Sequence, residues 1–448
     1  MTFDHDTVTL LSEALGSLEQ GFGRLPDFSP RLDVGQVRDA LMAAAERLRD
    51  NYPYHHPLYV GQMLKPPHPV ARLAYALAMW INPNNHALDG GRASSAMEKE
   101  AVAQIARLFG WETHLGHLCG GGTLANFEAL WVGRELRPGK AVAASAQAHY
   151  THARLSTVLG VPFCAIPVDA RGRMDLGALE EALAGRGIGT VVATLGTTAA
   201  GAVDPLPAIL ALRECYDFRL HVDAAYGGYF ILADNLGREA RQAFDRMRDA
   251  DSVVIDPHKH GLQPYGCGCV LFRDPAVGRF YKHDSPYTYF SSDELHLGEI
   301  SLECSRPGAS AVALWTTLRM LPLVPGGDFA RGLASCREAA LALHGALARD
   351  ARFAPLFPPE LDIVVWAARA RSARESSERA RRIFRAASAR DLHLALAGIP
   401  RAMLETCAPV AEWDAEEIVC LRACVMKPEH RAWMGEIWSR LDAAAAGS

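Results

Sequence analysis

A lysine, an aspartate, two histidines and a run of three glycines each fall directly beside a short apolar run in this chain. In DPHKHGLQPYGCGC (256–269), His258 and Lys259 follow Ser252–Val253–Val254–Ile255. A primary amine shielded from water gives up its charge more readily, and the neutral amine attacks aldehydes. In HVDAAYGGYF (221–230), Asp223 closes an apolar run. A carboxylate there is costly to bury unless paired, so it either caps a helix or holds a positive charge on a ring nitrogen. In LCGGGTLANFEALWVG (118–133), three glycines and Thr123 lead into a segment with Leu124, Phe127, Leu130 and Trp131 on one helical face. Glycines let backbone approach an anion, and the helix start offers unpaired N–H groups at the positive end of its dipole. A plain tight turn before a helix fits the same residues. The spacing matches neither GxGxxG nor GxxxxGK[ST], so dinucleotides and ATP are not indicated.

Two further stretches repeat the placement. SAQAHYTHARLSTVLG (145–160) puts His149 and His152 after an apolar run, as structural hydrogen-bonders or as a flat ring against a ligand. TLGTTAAGAVD (194–204) ends another run with two hydroxyls and a carboxylate. Ligands bind at the carboxyl ends of strands in open α/β sheets. One cofactor with a phosphate, a protonatable ring nitrogen and an aldehyde satisfies every one of these features. Pyridoxal 5′-phosphate is that cofactor.

The elements that must position these residues are legible as alternation. Apolar runs at 141–145, 163–168, 190–195, 219–224, 252–256 and 269–272 are separated by helical patterns such as 174–185 and 206–217. That rhythm predicts an α/β fold with a mostly parallel sheet sandwiched by helices. Residues 1–50 predict one or two amphipathic helices, and 52–69 is too rich in Pro, His and aromatics for helix or regular strand. Past Trp315, two apolar strands at 362–368 and 417–426 sit among long helices, predicting a smaller C-terminal α/β domain. The expected division is an N-terminal helical and extended segment (1–93), a large cofactor-binding domain (94–318) and a small domain (319–448).

The order GGGT, SxxAHY, TLGTTxxGxxD, HVDAAYGG, DPHKHG and SRPGA resembles the group II pyridoxal-phosphate-dependent amino-acid decarboxylases, which have the aspartate-aminotransferase-like fold. The resemblance covers roughly residues 50–320. It implies that Lys259 carries the cofactor as a Schiff base, Asp223 pairs with the ring nitrogen, and Ala225 packs on the ring. It implies further that His149 stacks on the other face and Thr198 lies near the ring oxygen. Gly121, Gly122, Thr123 and His258 would hold the phosphate. Asp256 departs from the asparagine or serine found there in several members, and it is left out of the phosphate set. A tyrosine on a loop after the lysine reprotonates the α-carbon in the family. The segment 281–298 fits such a loop and offers Tyr287 and Tyr289, with Tyr289 the favoured donor. Phenylalanine in place of that tyrosine accompanies aldehyde formation by oxidation, and Phe290 is adjacent.

The expected activity is decarboxylation of an L-amino acid to its amine and CO₂. The alternatives are the oxidative, aldehyde-forming variant and a pyridoxal-dependent carbon–carbon lyase. An aminotransferase would need a C-terminal arginine clamp, for which Arg422 is the comparable residue. The resemblance places substrate-pocket segments in 54–69 and 80–98, commonly across a homodimer interface, with Tyr59, Gln62, Asn85 and His86 as candidates. Cationic and apolar side chains are balanced there, leaving aromatic and acidic substrates both open. Arg306 is expected to be structural or near the cofactor across the interface.

Composition excludes other classes. The 448 residues are 49% hydrophobic and 22% charged, with a net charge of −5, giving no basic face for nucleic acid. The cluster 372–390 interleaves arginine with glutamate and reads as a solvated helix face. Ten cysteines show no CxxC spacing, so no metal site is expected. The N-terminus lacks signal-peptide character, and no run of about 18 apolar residues predicts a membrane span. A cytoplasmic enzyme is the expectation.

Overall fold

All six predicted apolar runs form strands of one sheet in the computed structural model, which describes every residue except 1–4, 27, 29–31, 186, 283–294, 405–408 and 448. The seven strands are β1 (Leu115–Cys119), β2 (Ala141–Ser145), β3 (Phe163–Ile166), β4 (Ile188–Thr194), β5 (Arg219–Asp223), β6 (Ser252–Ile255) and β7 (Gly268–Phe272). Their order is β1-β7-β6-β5-β4-β2-β3. Strands β6, β5, β4, β2 and β3 run parallel, whereas β7 is antiparallel to both β6 and β1. All seven residues of β4 are buried. Val191 and Ala193 pack into one apolar cluster and Val192 into another, because successive side chains leave opposite faces and helices cover both.

Strand β1 is not among the six predicted runs. LGHLC contains a histidine in mid-strand and runs straight into the glycine turn, which hides its alternation. His117 is accommodated by burial against Glu128, with Nε2 to Oε2 at 2.9 Å.

A second sheet joins β8 (Phe353–Pro355), β9 (Ile363–Ala368), β11 (Ala395–Pro400) and β13 (Glu417–Cys424) in the antiparallel order β11-β13-β9-β8. Between them in the chain, β10 (Ala370–Ser372) and β12 (Val410–Glu412) form a two-stranded parallel pair. Val364, Trp366 and Leu421 of the second sheet bury against Leu343, Ile383 and Ile437 from the long helices. Helices Leu88–Leu108 and Gly308–Met320 run through the expected boundaries at 93 and 318, the former kinked at Gly91.

The N-terminal helices His5–Gln20 and Val34–Leu48 form as predicted. Residues 52–68 stay irregular; they are tied to the second sheet through Val60, whose N–H donates to His393 O and whose carbonyl accepts from Cys424 N. No described helix is long and apolar enough to cross a membrane.

Candidate active site

The ends of the parallel strands β4, β5 and β6 deliver side chains to a common cavity of about 560 Å³. Thr194 ends β4, Asp223 ends β5, and Asp256, His258 and Lys259 follow β6. The antiparallel β7 carries β1 alongside, so the turn Gly120–Gly122 after β1 opens at the same edge. Of the predicted site residues, Gly121, Gly122, Thr123, His149, Thr198, Asp223, Ala225, His258 and Lys259 all line this cavity.

The glycine turn is required by close approach. Gly121 has φ of 140°, in the region that favours glycine, and a Cβ there would come within 3.3 Å of the His258 ring. A Cβ on Gly122 would lie 2.6 Å from Asp256 Oδ2. The helix Gly122–Leu136 starts here with no side-chain cap, so its first N–H groups face the cavity edge without an internal acceptor.

Asp223 is buried, with Oδ1 accepting from Ala225 N at 3.1 Å and Oδ2 2.8 Å from His152 Nε2. Burial alone would push its carboxyl up. The hydrogen bond and charge of His152, with Lys259 and His221 nearby, outweigh burial and hold it well below the usual carboxylate range. The carboxylate is therefore ionised and able to face a cationic ring nitrogen. His152, read from the sequence as a structural hydrogen-bonder or a flat ring, is the former, and its partner Asp223 is what the sequence did not name. The only signal was the place of His152 three residues after His149 on the same helix start, which brings both rings to one edge.

Lys259 Nζ lies 3.0 Å from Asp256 Oδ2. Asp256 is buried, its Oδ2 also 3.6 Å from His258 Nε2, and its Oδ1 has no partner among the described residues. The carboxylate that looked out of place beside a phosphate is thus turned to the lysine. His258 Nδ1 is 2.8 Å from Cys267 O, which puts its proton on Nδ1. Burial lowers its pKa, and Nε2 becomes a donor only when an anion nearby restores the ring's charge. His149 is half-buried and also lowered by burial, a neutral flat ring at the cavity wall.

The other candidates lie elsewhere on this chain. Tyr59 is buried among Tyr52, Tyr54 and His393, and its carbonyl accepts from Lys427 Nζ. Asn85 is fully buried, donating to Glu98 Oε2 at 2.6 Å and accepting from Ser94. His86 packs against Gly298, whose N–H donates to the His86 carbonyl. Gln62 is exposed and meets Arg422 at 3.4 Å, while its neighbour Met63 lines the cavity. In each case packing or backbone bonding decided the direction of the side chain, which an irregular stretch does not reveal. Arg306 is structural in this chain, paired with Glu98 Oε1 at 2.9 Å and donating to Leu118 O. Arg422 is used on the carbonyls of Thr198 at 2.6 Å and Ala199 at 3.0 Å. Tyr287, Tyr289 and Phe290 lie outside the described residues.

The donor set fits pyridoxal phosphate on its own chemistry: an amine, a buried ionised carboxylate, a neutral flat imidazole and an uncapped helix start beside glycines, all on one cavity.

Comparison with known proteins agrees. The model of the pyridoxal-dependent decarboxylase conserved domain matches residues 134–369, more than half the chain. An L-tyrosine decarboxylase of Enterococcus faecium is 31% identical over 68% of this chain and 66% of its own length. An L-aspartate decarboxylase of Thermococcus kodakarensis is 31% identical over 63% of this chain and 73% of its own. The matched region thus spans about two thirds of the length of the tyrosine decarboxylase. The crystal structure of Oryza sativa TDC with PLP and tryptamine superposes with a TM-score of 0.78 at 18% identity, covering 100% of this chain and 99% of that one. That of mouse CSAD in apo form gives 0.78 at 20% identity, covering 94% and 90%. Fold and family model agree, and the chain belongs to the pyridoxal-dependent decarboxylases.

Proposed function

We propose that this chain is a carboxy-lyase that removes the α-carboxyl group of an L-amino acid, giving the amine and CO₂, with Lys259 as the covalent anchor of pyridoxal phosphate. The observation that supports it best is that Lys259 and the ionised Asp223, from the neighbouring ends of β6 and β5, face one cavity with the glycine cradle that follows β1. The bound cofactor supplies an electron sink for the pair left on the α-carbon when CO₂ departs. Asp223 keeps a proton on the ring nitrogen by offering it a buried negative charge. Ala225, too small to reach across, leaves one face of the cavity open for a ring, and His149 closes the other. Gly121, Gly122, Thr123, His258 and the uncapped helix start hold a phosphate. The proton returned to the α-carbon is assigned to Tyr289 or Tyr287.

The matched relatives are named for tyrosine, aspartate and diaminobutyrate, and the cavity wall combines apolar side chains such as Met63, Leu124 and Phe127 with polar ones. The substrate class is therefore left as an L-amino acid. A homodimer is part of the same proposal: helix Val34–Leu48 has no buried residue and exposes Val34, Leu41, Met42 and Leu48, a face that a second copy would cover. The nine described cysteines are all free, which suits a reducing cytoplasm.

Purified protein and its Lys259→Ala variant, incubated with single L-amino acids, test the reading. CO₂ with amine from the wild type alone supports it. Aldehyde with H₂O₂ redirects it to the oxidative variant, and keto acid without CO₂ replaces it with transamination. Absence of a lysine–cofactor absorbance band in the wild type would overturn it.

A further inference from the structure

A second cavity, also of about 560 Å³, lies on the far side of the lysine segment from the first. His258 and Lys259 line the cofactor cavity, whereas the next residue, His260, lines this one. Its walls join the irregular 55–69 stretch, the start of helix Asp328–Ala348, and residues 427–433 after β13, which lead into helix His430–Ala446. Much of the surface is apolar, from Pro66, Leu262, Leu321, Phe329, Leu333 and Trp433.

Into this apolar space the fold places two ammonium groups. Lys65 Nζ donates to Met426 O at 3.2 Å, and Lys427 Nζ donates to Tyr59 O at 2.7 Å. An ammonium has three donors, so each keeps two beyond these bonds. Among the described residues no carboxylate lies within 4 Å of either. Asp328 in the wall is paired with Arg331, while the buried Asp362 and the exposed Glu429 offset part of the Lys65 charge, and Glu429 part of that of Lys427, without forming an ion pair with either. Lys427 is only 3% exposed, and burial, followed by the charge of Lys65, lowers its pKa to about 8; burial lowers Lys65 as well. A third group is unmatched: His260 is fully buried in the wall, 3.2 Å from Asp362 through Nε2, and its Nδ1 has no partner among the described residues. Two cations held close together in low dielectric are costly without an anion between them.

We propose that this cavity is a binding site for a small organic carboxylate, its anionic end held by Lys65 and Lys427 and its apolar body against the proline, leucine and phenylalanine wall. The volume suits a ligand of this size. The apolar wall separates this class from inorganic phosphate, which has the charge but nothing to bury there. The site is wired to the first cavity by a buried chain, because Asp362, beside His260, accepts from the Tyr226 hydroxyl at 2.7 Å, and Tyr226 lines the cofactor cavity.

Calorimetric titration of the cofactor-loaded protein with sodium hexanoate, hexan-1-ol and inorganic phosphate tests the assignment. Loading keeps the glycine cradle filled, so that anion binding there does not contribute. Saturable hexanoate binding at one site per chain is expected, at least tenfold tighter than phosphate, with no saturable binding of hexan-1-ol. Lys65→Met and Lys427→Met should each weaken hexanoate at least tenfold. No saturable hexanoate binding, equal binding of phosphate, or unchanged affinity in both variants would overturn it. Because a buried lysine variant can fail to fold, acetylation footprinting of the wild type provides a second readout. Hexanoate should cut labelling of Lys65 severalfold, and unchanged labelling sinks the proposal. None of these outcomes depends on whether the first cavity decarboxylates its substrate.

Discussion

His152 and Asp223 meet 2.8 Å apart, Nε2 to Oδ2, with the imidazole fully buried and its Nδ1 without a described partner. The ring therefore has one hydrogen-bonding contact among the described residues, and that contact orients the carboxylate at the end of β5. A hydrogen bond to a buried charged group contributes about 1.5–3 kcal/mol, equivalent to roughly ten- to a hundredfold in rate if fully expressed. His152→Leu should lower kcat by that range with KM changed less than about threefold. It should also shift the pH at which the bound cofactor's absorbance changes. His152→Gln, which keeps a donor near the Nε2 position, should restore most of both. A His152→Leu protein with wild-type kcat and titration would assign the histidine to packing alone.

Asp223→Ala removes the charge itself. It should retain cofactor, since the cradle and Lys259 remain, and lose nearly all turnover. Absorbance at the lysine–cofactor band, read beside CO₂ release, separates the two. Near-wild-type release with cofactor bound would end the ring-nitrogen assignment.

Gly122→Ala forces a methyl group to within 2.6 Å of Asp256 Oδ2. Relief requires Asp256 to swing away and give up its 3.0 Å pair with Lys259. Cofactor affinity, followed by fluorescence titration, should fall at least tenfold while secondary structure by circular dichroism is unchanged. Affinity within twofold of wild type would show that the cradle does not contact the phosphate.

His221 makes the pH dependence of stability predictable. Buried behind Asp223, it bonds Ser252 Oγ at 2.9 Å and Asn126 Oδ1 at 2.8 Å, and burial lowers its pKa from 6.5 to about 3. Between those values the unfolded chain holds the proton and the folded chain does not, so stability falls as pH drops from about 6.5 towards 3. The full window is worth on the order of 5 kcal/mol. His430, also lowered to about 3 by burial, acts with the same sign. The urea midpoint should drop between pH 7 and pH 5, and by less in His221→Asn. Equal drops in both proteins would remove His221 as a source.

Arg306→Met leaves Glu98 buried without its cation. Breaking a buried pair in this way costs about 3–5 kcal/mol. Urea unfolding should show that loss. A change below about 1 kcal/mol would mean that Asn85 and the Leu118 N–H alone suffice for Glu98.

The cofactor side of the site was readable because its geometry is set by strand ends. A residue that closes an apolar parallel strand has one place to go, so Asp223, Lys259 and the glycine turn could be placed from local pattern. The substrate candidates rest on no such pattern. Tyr59 and Asn85 sit in stretches held by side-chain packing and isolated backbone bonds, where no period tells which way a side chain points. His152 failed differently: its meaning lies in a contact with Asp223, 71 residues on, across β4, and one sequence carries no record of that pairing. The strand β1 was hidden because its one sheet neighbour among the described residues, β7, lies about 150 residues later in the chain.

That last connection sets a timetable. As the chain leaves the ribosome, the glycine turn is made before either Lys259 or Asp223, yet the strand that leads into it is the last of theirs to be paired into the sheet. Strand β1 reaches the sheet only through β7, which must first be synthesised and slot in beside β6. Long-range closure of this kind is slow relative to local folding. Asp223 and Lys259 are thus made before β7, whose completion fixes the strand that leads into the glycine turn.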